Sequence, residues 1–229
     1  MILALLTGRG GSSFKNKNIN KLNKKPVLGY PCLAAKKIKK INHFYASSND
    51  KKILGNAKKY GFHSIIRPEK YSKSNSKHYE VLVHALKKLE LKNIKPEITV
   101  VLLANAPIIK SKWINDCINI LIKSKATAVV PVVKDNDKHP FRAKKKQNGI
   151  LLPFFNSKKK VSSNRQDLEA SYFLCHNFWV IRTKEILKNN GFPPWNFMGK
   201  KVIPYEVKRS HDIHNEFDMD ICKLILKKF

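Results

Sequence analysis

Acidic residues are scarce in this 229-residue chain: 16 Asp and Glu stand against 46 Lys and Arg, a formal net charge of +30. Such a field draws anions such as nucleotides, nucleic acid or acidic lipid, without choosing among them. Arginine is scarce as well. Arg9, Arg67, Arg142, Arg165, Arg182 and Arg209 are all there is, and the rest of the positive charge is lysine. The chain is also rich in Asn and Ile, so compositional bias explains the lysine excess as readily as a basic function does. Arginine is the planar fork that matches phosphate and carboxylate, which makes each of the six worth following. The four cysteines, Cys32, Cys117, Cys175 and Cys222, form no CxxC pair. That argues against a zinc ribbon or a thioredoxin-type site and predicts free, buried thiols in a reducing compartment. Long apolar runs are missing. The opening MILALLTGRGG has no basic lead and an apolar run too short for a secretion signal or a membrane span, which predicts a soluble, cytoplasmic protein. Internal repeats and low-complexity linkers are absent, which predicts a single domain over residues 1–229. With 42% hydrophobic and 27% charged residues the composition excludes a disordered, collagen-like or disulfide-scaffold chain.

What is present is an alternation of short apolar runs with amphipathic stretches. Ile2 to Leu6, Phe44 to Ser47, His63 to Ile66, Ile98 to Leu103 and Ala126 to Val133 read as strands. Cys32 to Lys40, Asp50 to Tyr60, Tyr79 to Leu91 and Ser111 to Ile122 read as helices. The second of these has an Asn-Asp cap and a Gly61 stop, and the third carries Val81, Leu82, Ala85, Leu86 and Leu89 at helical spacing. This β-α-β-α series predicts an α/β fold with a mainly parallel sheet. The rhythm breaks between about residues 139 and 160, where Asn148-Gly149 predicts the turn of an inserted β-hairpin. Tyr172 to Arg182 then reads as strand, Lys184 to Asn189 as a short helix, Lys201 to Val207 as strand, and Ile213 to Leu226 as a closing helix.

The turn after the first strand, Thr7-Gly8-Arg9-Gly10-Gly11-Ser12-Ser13 with Lys17-Asn18 beyond it, carries the clearest chemistry. Glycines let backbone N–H groups approach a phosphate, Arg9 supplies a fork, Ser12 and Ser13 add hydroxyls and Lys17 a mobile charge. It is not a Walker A loop, because no Gly-Lys-Ser/Thr follows, and it lacks the third glycine of the dinucleotide fingerprint.

This loop, Gly8-Arg9-Gly10-Gly11-Ser12 followed by Lys17-Asn18-Ile19, resembles the nucleotide loop of the acylneuraminate cytidylyltransferases, the CMP-sialic acid synthetases and their pseudaminate, legionaminate and octulosonate relatives. Later pieces follow in the same order: Ser47-Ser48-Asn49-Asp50, Arg67-Pro68-Glu69, Leu102 to Pro107, His139-Pro140-Phe141, Asn164-Arg165-Gln166-Asp167 with Tyr172, and Arg209 with Asp212. The resemblance covers nearly the whole chain. It implies a Rossmann-like nucleotidyltransferase fold, transfer of CMP from CTP to the anomeric hydroxyl of an acidic nine- or eight-carbon sugar, and a homodimer.

It also implies roles. Arg9 and Lys17 would hold the triphosphate together with Gly10, Gly11, Ser12 and Ser13. Asn18, Arg67 and Ser72 would lie near the cytosine and ribose. Asn105, Arg165, Gln166, Tyr172, His176 and Asn177 would face the sugar acid, Arg165 being the carboxylate fork. Asp212, with Asp218 as a second candidate, would hold Mg²⁺, which prefers carboxylate oxygens and takes its other ligands from water and phosphate. Where the family reads Asp-Ile-Asp this chain reads Asp212-Ile213-His214, and Asn105 stands where octulosonate relatives carry an acid. Among the histidines, His43, His63, His78 and His84 read as structural or surface residues, while His139 and His176 fall in the sugar-side segments. Two other readings stay open: a nucleotide-sugar-binding relative with weak turnover, and a basic nucleic-acid-binding protein. Against the latter, lysines are spread over every helix and loop and no known nucleic-acid motif is present.

Overall fold

The computed structural model describes residues 1–11, 14–157 and 161–229. Ser12, Ser13 and the 158–160 lysine run lie outside them. The elements run in the order β1 (Ile2–Thr7), β2 (Lys21–Leu22), β3 (Lys25–Pro26), α1 (Gly29–Lys36), β4 (His43–Ser48), α2 (Lys51–Lys59), β5 (His63–Ile66), α3 (His78–Glu90), β6 (Ile98–Leu103), α4 (Ser111–Lys123) and β7 (Ala128–Lys134). The second half adds β8 (Lys144–Gln147), β9 (Ile150–Pro153), β10 (Tyr172–Leu174), β11 (Phe178–Arg182), α5 (Thr183–Lys188), β12 (Val202–Glu206) and α6 (Glu216–Lys227).

The central sheet runs β12-β7-β11-β6-β1-β4-β5, with β10 joining β7 beyond the end of β11. β1 pairs in parallel with β4 and β6, β4 with β5, and β12 with β7. β11 is the exception: it inserts antiparallel between β6 and β7. Every residue of β1 is buried, as expected of an apolar run covered on both faces. One core joins the sheet to α1, α2 and α4. A second lies on the face that carries α3 and α5, with Leu3, Leu5, Val101 and Trp179 at its centre. A third, smaller core seats α6 against Leu22, Val27 and Ile108.

The order of strands and helices agrees with the alternation in the sequence, and the differences have local causes. Asp50 caps α2 as expected, its Oδ1 accepting from Lys52 N at 2.7 Å. The closing helix starts at Glu216 rather than at residue 213, because Asn215 and Asp218 form a reciprocal capping box. The stretch 172–182 is two strands, not one. Cys175 N donates to Pro131 O and Asn177 Oδ1 accepts from Phe178 N, so the chain steps from the end of β7 into the gap between β7 and β6. β8 and β9 form a hairpin on a separate two-stranded sheet, with Asn148 and Gly149 both at positive φ as a type I′ turn requires. Among the described residues no helix is long and apolar enough to cross a membrane. The four cysteines are free and buried.

Candidate active site

The carboxyl ends of β1, β4 and β6 bring three loops together, the place where an open α/β sheet leaves a crevice. The loop after β1 is held from beneath by Arg67, which follows β5. Arg67 is buried, and its Nη2 donates to Gly8 O at 3.1 Å and Ser47 O at 2.6 Å, while its Nε donates to Ser47 Oγ at 3.3 Å. Burial and then the neighbouring Arg9 push its pKa down to about 10. Gly10 N donates to Asn49 Oδ1 at 3.0 Å, and the buried Asn18 donates from Nδ2 to Arg9 O at 3.1 Å. A side chain at position 8 has no room: a Cβ there would lie 2.8 Å from that of Ala104.

The loop so held borders a cavity of about 210 Å³ lined by Arg9, Lys17, Asn18, Arg67 and Asn105, with Tyr71, Val81 and Leu103 on its apolar side. Gly10 and Gly11 face a smaller hollow beside it, with Asp50. Lys17 is half-buried, and desolvation, then the Arg9 cation, lower its pKa, while the Asp212 carboxylate acts in the opposite direction. The two cations are therefore crowded together in a site open to an anion. Asp212 reaches this cavity through Asn105, whose Nδ2 donates to Asp212 Oδ2 at 3.3 Å and to Ile213 O at 3.1 Å. His214 Nε2 lies 2.7 Å from the same Asp212 oxygen.

On the other side of Asp212 is a second cavity, of about 380 Å³, lined by Lys138, His176, Lys208, Arg209, Ser210 and Asp212 itself. Asp135 lines it too and pairs with Lys138 Nζ at 3.4 Å, so Lys208 and Arg209 are the cations left to an acidic, hydroxyl-rich ligand. A larger groove of about 670 Å³, between α3 and α5 at the opposite edge of the sheet, contains none of these residues.

Several residues expected at the site sit elsewhere. Arg165 is exposed and lines neither cavity; its Nη1 pairs with Asp137 Oδ2 at 2.7 Å. Gln166 beside it is exposed as well. Tyr172 is exposed on β10 and engages Glu206, which raises its pKa. Asn177 is fully buried and spends its Nδ2 on Ile108 O at 3.1 Å, so it shapes the β10–β11 step instead of facing a sugar. Ser72 is buried, its hydroxyl donating to Pro68 O, and only its carbonyl meets Arg9. His139 is buried and accepts from Phe141 N through Nδ1. Asp218 has both oxygens occupied, Oδ2 by the N–H groups of His214 and Asn215 and Oδ1 by His211 Nε2. Burial opposes its ionisation, but these hydrogen bonds outweigh it and lower the pKa. It is a helix cap and not a free ligand. Ser12 and Ser13 lie outside the described residues.

Other residues enter the site without a clear signal in the sequence. Lys208 is one of them; it stands beside Arg209, which the sequence already groups with Asp212. Lys138, Tyr71 and His78 reach the cavities only through the fold.

The donor set bears on a metal. Among the described residues no group of three or more His, Cys, Asp or Glu is arranged to hold one. One carboxylate, Asp212, lines the second cavity and is hydrogen-bonded to Asn105 of the first. That suits a hard divalent ion taking most of its ligands from phosphate and water, and suits no all-protein metal cage.

A family profile described as cytidylyltransferase matches residues 3–148. The chain is 27% identical over 208 residues to the Helicobacter pylori protein named pseudaminic acid cytidylyltransferase and UDP-2,4-diacetamido-2,4,6-trideoxy-beta-L-altropyranose hydrolase. That match takes in 90% of this chain and 39% of the Helicobacter protein, so the chain spans well under half of that relative's length. It is 24% identical over 232 residues to the post-translational flagellin modification protein B of Campylobacter coli, covering 99% of this chain and 95% of that one. Among solved structures, CMP:2-keto-3-deoxy-manno-octonic acid synthetase complexed with CTP shares the fold with a TM-score of 0.73 at 12% identity, over 99% of this chain and 98% of that one.

Proposed function

Because the chain belongs to the cytidylyltransferase family, we propose that it transfers CMP from CTP to the anomeric hydroxyl of an acidic sugar of sialic, pseudaminic or legionaminic type, releasing pyrophosphate. The observation that carries this reading is the pairing of two cavities across one carboxylate. Arg9 and Lys17 line the first, Lys138, Lys208 and Arg209 the second, and Asp212 stands between them. The name of the Helicobacter relative points to the same sugar class.

The triphosphate lies along Arg9 and Lys17, with the base toward Tyr71 and Val81. The sugar acid lies in the second cavity, its carboxylate on Arg209 and Lys208. The sugar's anomeric oxygen attacks the α-phosphorus, forming a P–O bond as the bond to pyrophosphate breaks and the hydroxyl proton is lost. This chemistry asks the protein for alignment and charge neutralisation more than for covalent catalysis. Arg9 and Lys17 offset charge on the departing pyrophosphate. Asp212, held by Asn105, would be the protein ligand of a magnesium ion, which when bound supplies further neutralisation of phosphate charge.

The hairpin β8–β9 supports a homodimer. Ile150, Leu151, Phe154 and Phe155 are exposed along it, and an isolated two-stranded hairpin is at best marginally stable in water. A cytoplasmic setting accords with four free, buried thiols.

The test is pyrophosphate release from CTP over a panel of nonulosonic and octulosonic acids, with and without Mg²⁺, beside an Arg9→Ala variant. Release that needs sugar and metal and disappears in the variant is the expected result. Tight CTP binding with no release on any sugar makes the chain a nucleotide-binding relative, and no CTP binding sinks the reading.

A further inference from the structure

His78 opens α3 and its ring lines the first cavity. The ring is held on two sides by Trp179, with centroids 5.4 Å apart, and Phe197, at 6.2 Å. Its Nε2 lies 3.1 Å from Thr7 Oγ1, and the Thr7 hydroxyl donates to Leu102 O at 3.4 Å. A hydroxyl has one proton. With that proton on Leu102 O, Thr7 Oγ1 accepts from His78 Nε2–H. In a neutral ring the other nitrogen, Nδ1, is then a bare acceptor. Burial first, then Arg67 and His176, push the ring's pKa down to about 4, so it is neutral at pH 7.

Nδ1 makes no hydrogen bond to the described residues, yet the only buried side-chain nitrogens among them that lack a partner belong to His84. Nδ1 is thus open to the cavity. The cavity is otherwise rich in donors: Arg9, Lys17, Arg67 and the Asn18 amide all present N–H groups. The phosphates claim the Arg9 and Lys17 end. The end lined by Tyr71, Val81 and His78 suits a flat base, and there the neutral imidazole offers an acceptor nitrogen that carries no proton, unlike the hydroxyls of Tyr71, Ser74 and Ser76.

We propose that His78 is the base-selecting residue of this site, its Nδ1 accepting a hydrogen bond from the exocyclic amino group of cytosine. Uracil presents a carbonyl oxygen at the same position, which sets two acceptors against each other. To admit it the Thr7 hydroxyl must leave Leu102 O and the ring must change tautomer. The inference rests on the cytidylyl reading above, and goes beyond it by naming the group that separates CTP from UTP.

The experiment is equilibrium binding of CTP and UTP to the wild type and two variants, followed by calorimetry, with circular dichroism to verify folding. His78→Gln keeps a polar atom near Nε2 and removes Nδ1; His78→Asn keeps one near Nδ1. The wild type is expected to favour CTP by roughly 10- to 100-fold, the scale of a lost hydrogen bond in a desolvated site. His78→Gln is expected to bring the ratio to about 3 or less by weakening CTP, with UTP little changed, and His78→Asn to restore part of it. A folded His78→Gln with the wild-type ratio overturns the proposal. So does an equal loss of both nucleotides, which marks a structural role, and so does a wild type that binds the two alike. A wild type that binds neither overturns the cytidylyl reading itself, and this inference falls with it.

Discussion

Asn105 and Asp212, 107 positions apart, are joined by a contact of 3.3 Å from amide nitrogen to carboxylate oxygen. Two further bonds reinforce it: Ile213 N donates to Asn105 O at 2.9 Å, and Asn105 Nδ2 also donates to Ile213 O. The end of β6 is thereby fastened to the segment that precedes α6, and the one carboxylate between the two cavities is aimed by an amide. An aspartate at position 105 would meet Asp212 as a like charge.

If Asp212 holds the proposed magnesium ion, Asn105→Ala should lower kcat by about 10-fold or more with the KM for CTP nearly unchanged, the usual cost of losing an outer hydrogen bond to such a side chain. Steady-state pyrophosphate release checks this. An increase confined to the KM of the sugar would instead make Asn105 a direct substrate contact.

The two arginines should separate cleanly. Arg209→Ala should raise the KM for the sugar acid by roughly 10- to 100-fold, since it removes a charge-assisted bond to a carboxylate. Arg165→Ala should change it by less than about 2-fold, because an exposed ion pair with Asp137 is worth little. Kinetics on both variants with the same sugar decide the point.

His78 should make the fold sensitive to acid. Its folded pKa of about 4 lies below the ordinary 6.5, with Arg67 and His176 adding to the effect of burial. Below pH 6.5 the unfolded chain takes up a proton that the folded one refuses until the pH nears 4. Stability is therefore lost as pH falls through that window, by about 3 kcal/mol in all at 1.36 kcal/mol per unit. Urea unfolding at pH 7 and pH 4 should show that much less acid loss in His78→Phe than in the wild type.

Gly8→Ala should destabilise the protein by about 1–3 kcal/mol, because the new Cβ is forced against Ala104 and the Asn18 amide. Nucleotide binding should weaken with it, since the same displacement moves Arg9. Thermal unfolding and CTP titration on one sample measure both.

The proposed homodimer predicts that the wild type sediments as a dimer and that replacing Leu151 and Phe155 together by Lys yields a monomer in sedimentation velocity. Both side chains are exposed, so the folded monomer should keep its secondary structure.

The readable parts of the sequence were the local ones. Apolar spacing in Tyr79 to Leu91 marked the buried face of α3, where Val81, Leu82, Ala85, Leu86 and Leu89 are all buried. Asp50 marked the start of α2, and Asn148-Gly149 the turn of the hairpin. Arg9, Lys17 and Asn18 were legible as one group because a single turn carries them. Arg165, Asn177 and Asp218 have other partners in the fold for a shared reason: a hydrogen-bonding side chain serves a surface pair, a core or a cap as well as a ligand, and the sequence does not separate these uses.

Residue order and side-chain chemistry were enough to dictate the alternating α/β series, the glycine-rich anion loop and the excess of positive charge, because each depends on neighbours a few positions apart. The second cavity, the Asn105–Asp212 link and the state of His78 depend on the antiparallel insertion of β11 between β6 and β7. That insertion brings His176 and Trp179 beside residues roughly a hundred positions away. Desolvation and charge proximity then set which arginine is structural, which carboxylate lines a cavity and which imidazole stays neutral, and those quantities exist only once the chain is packed.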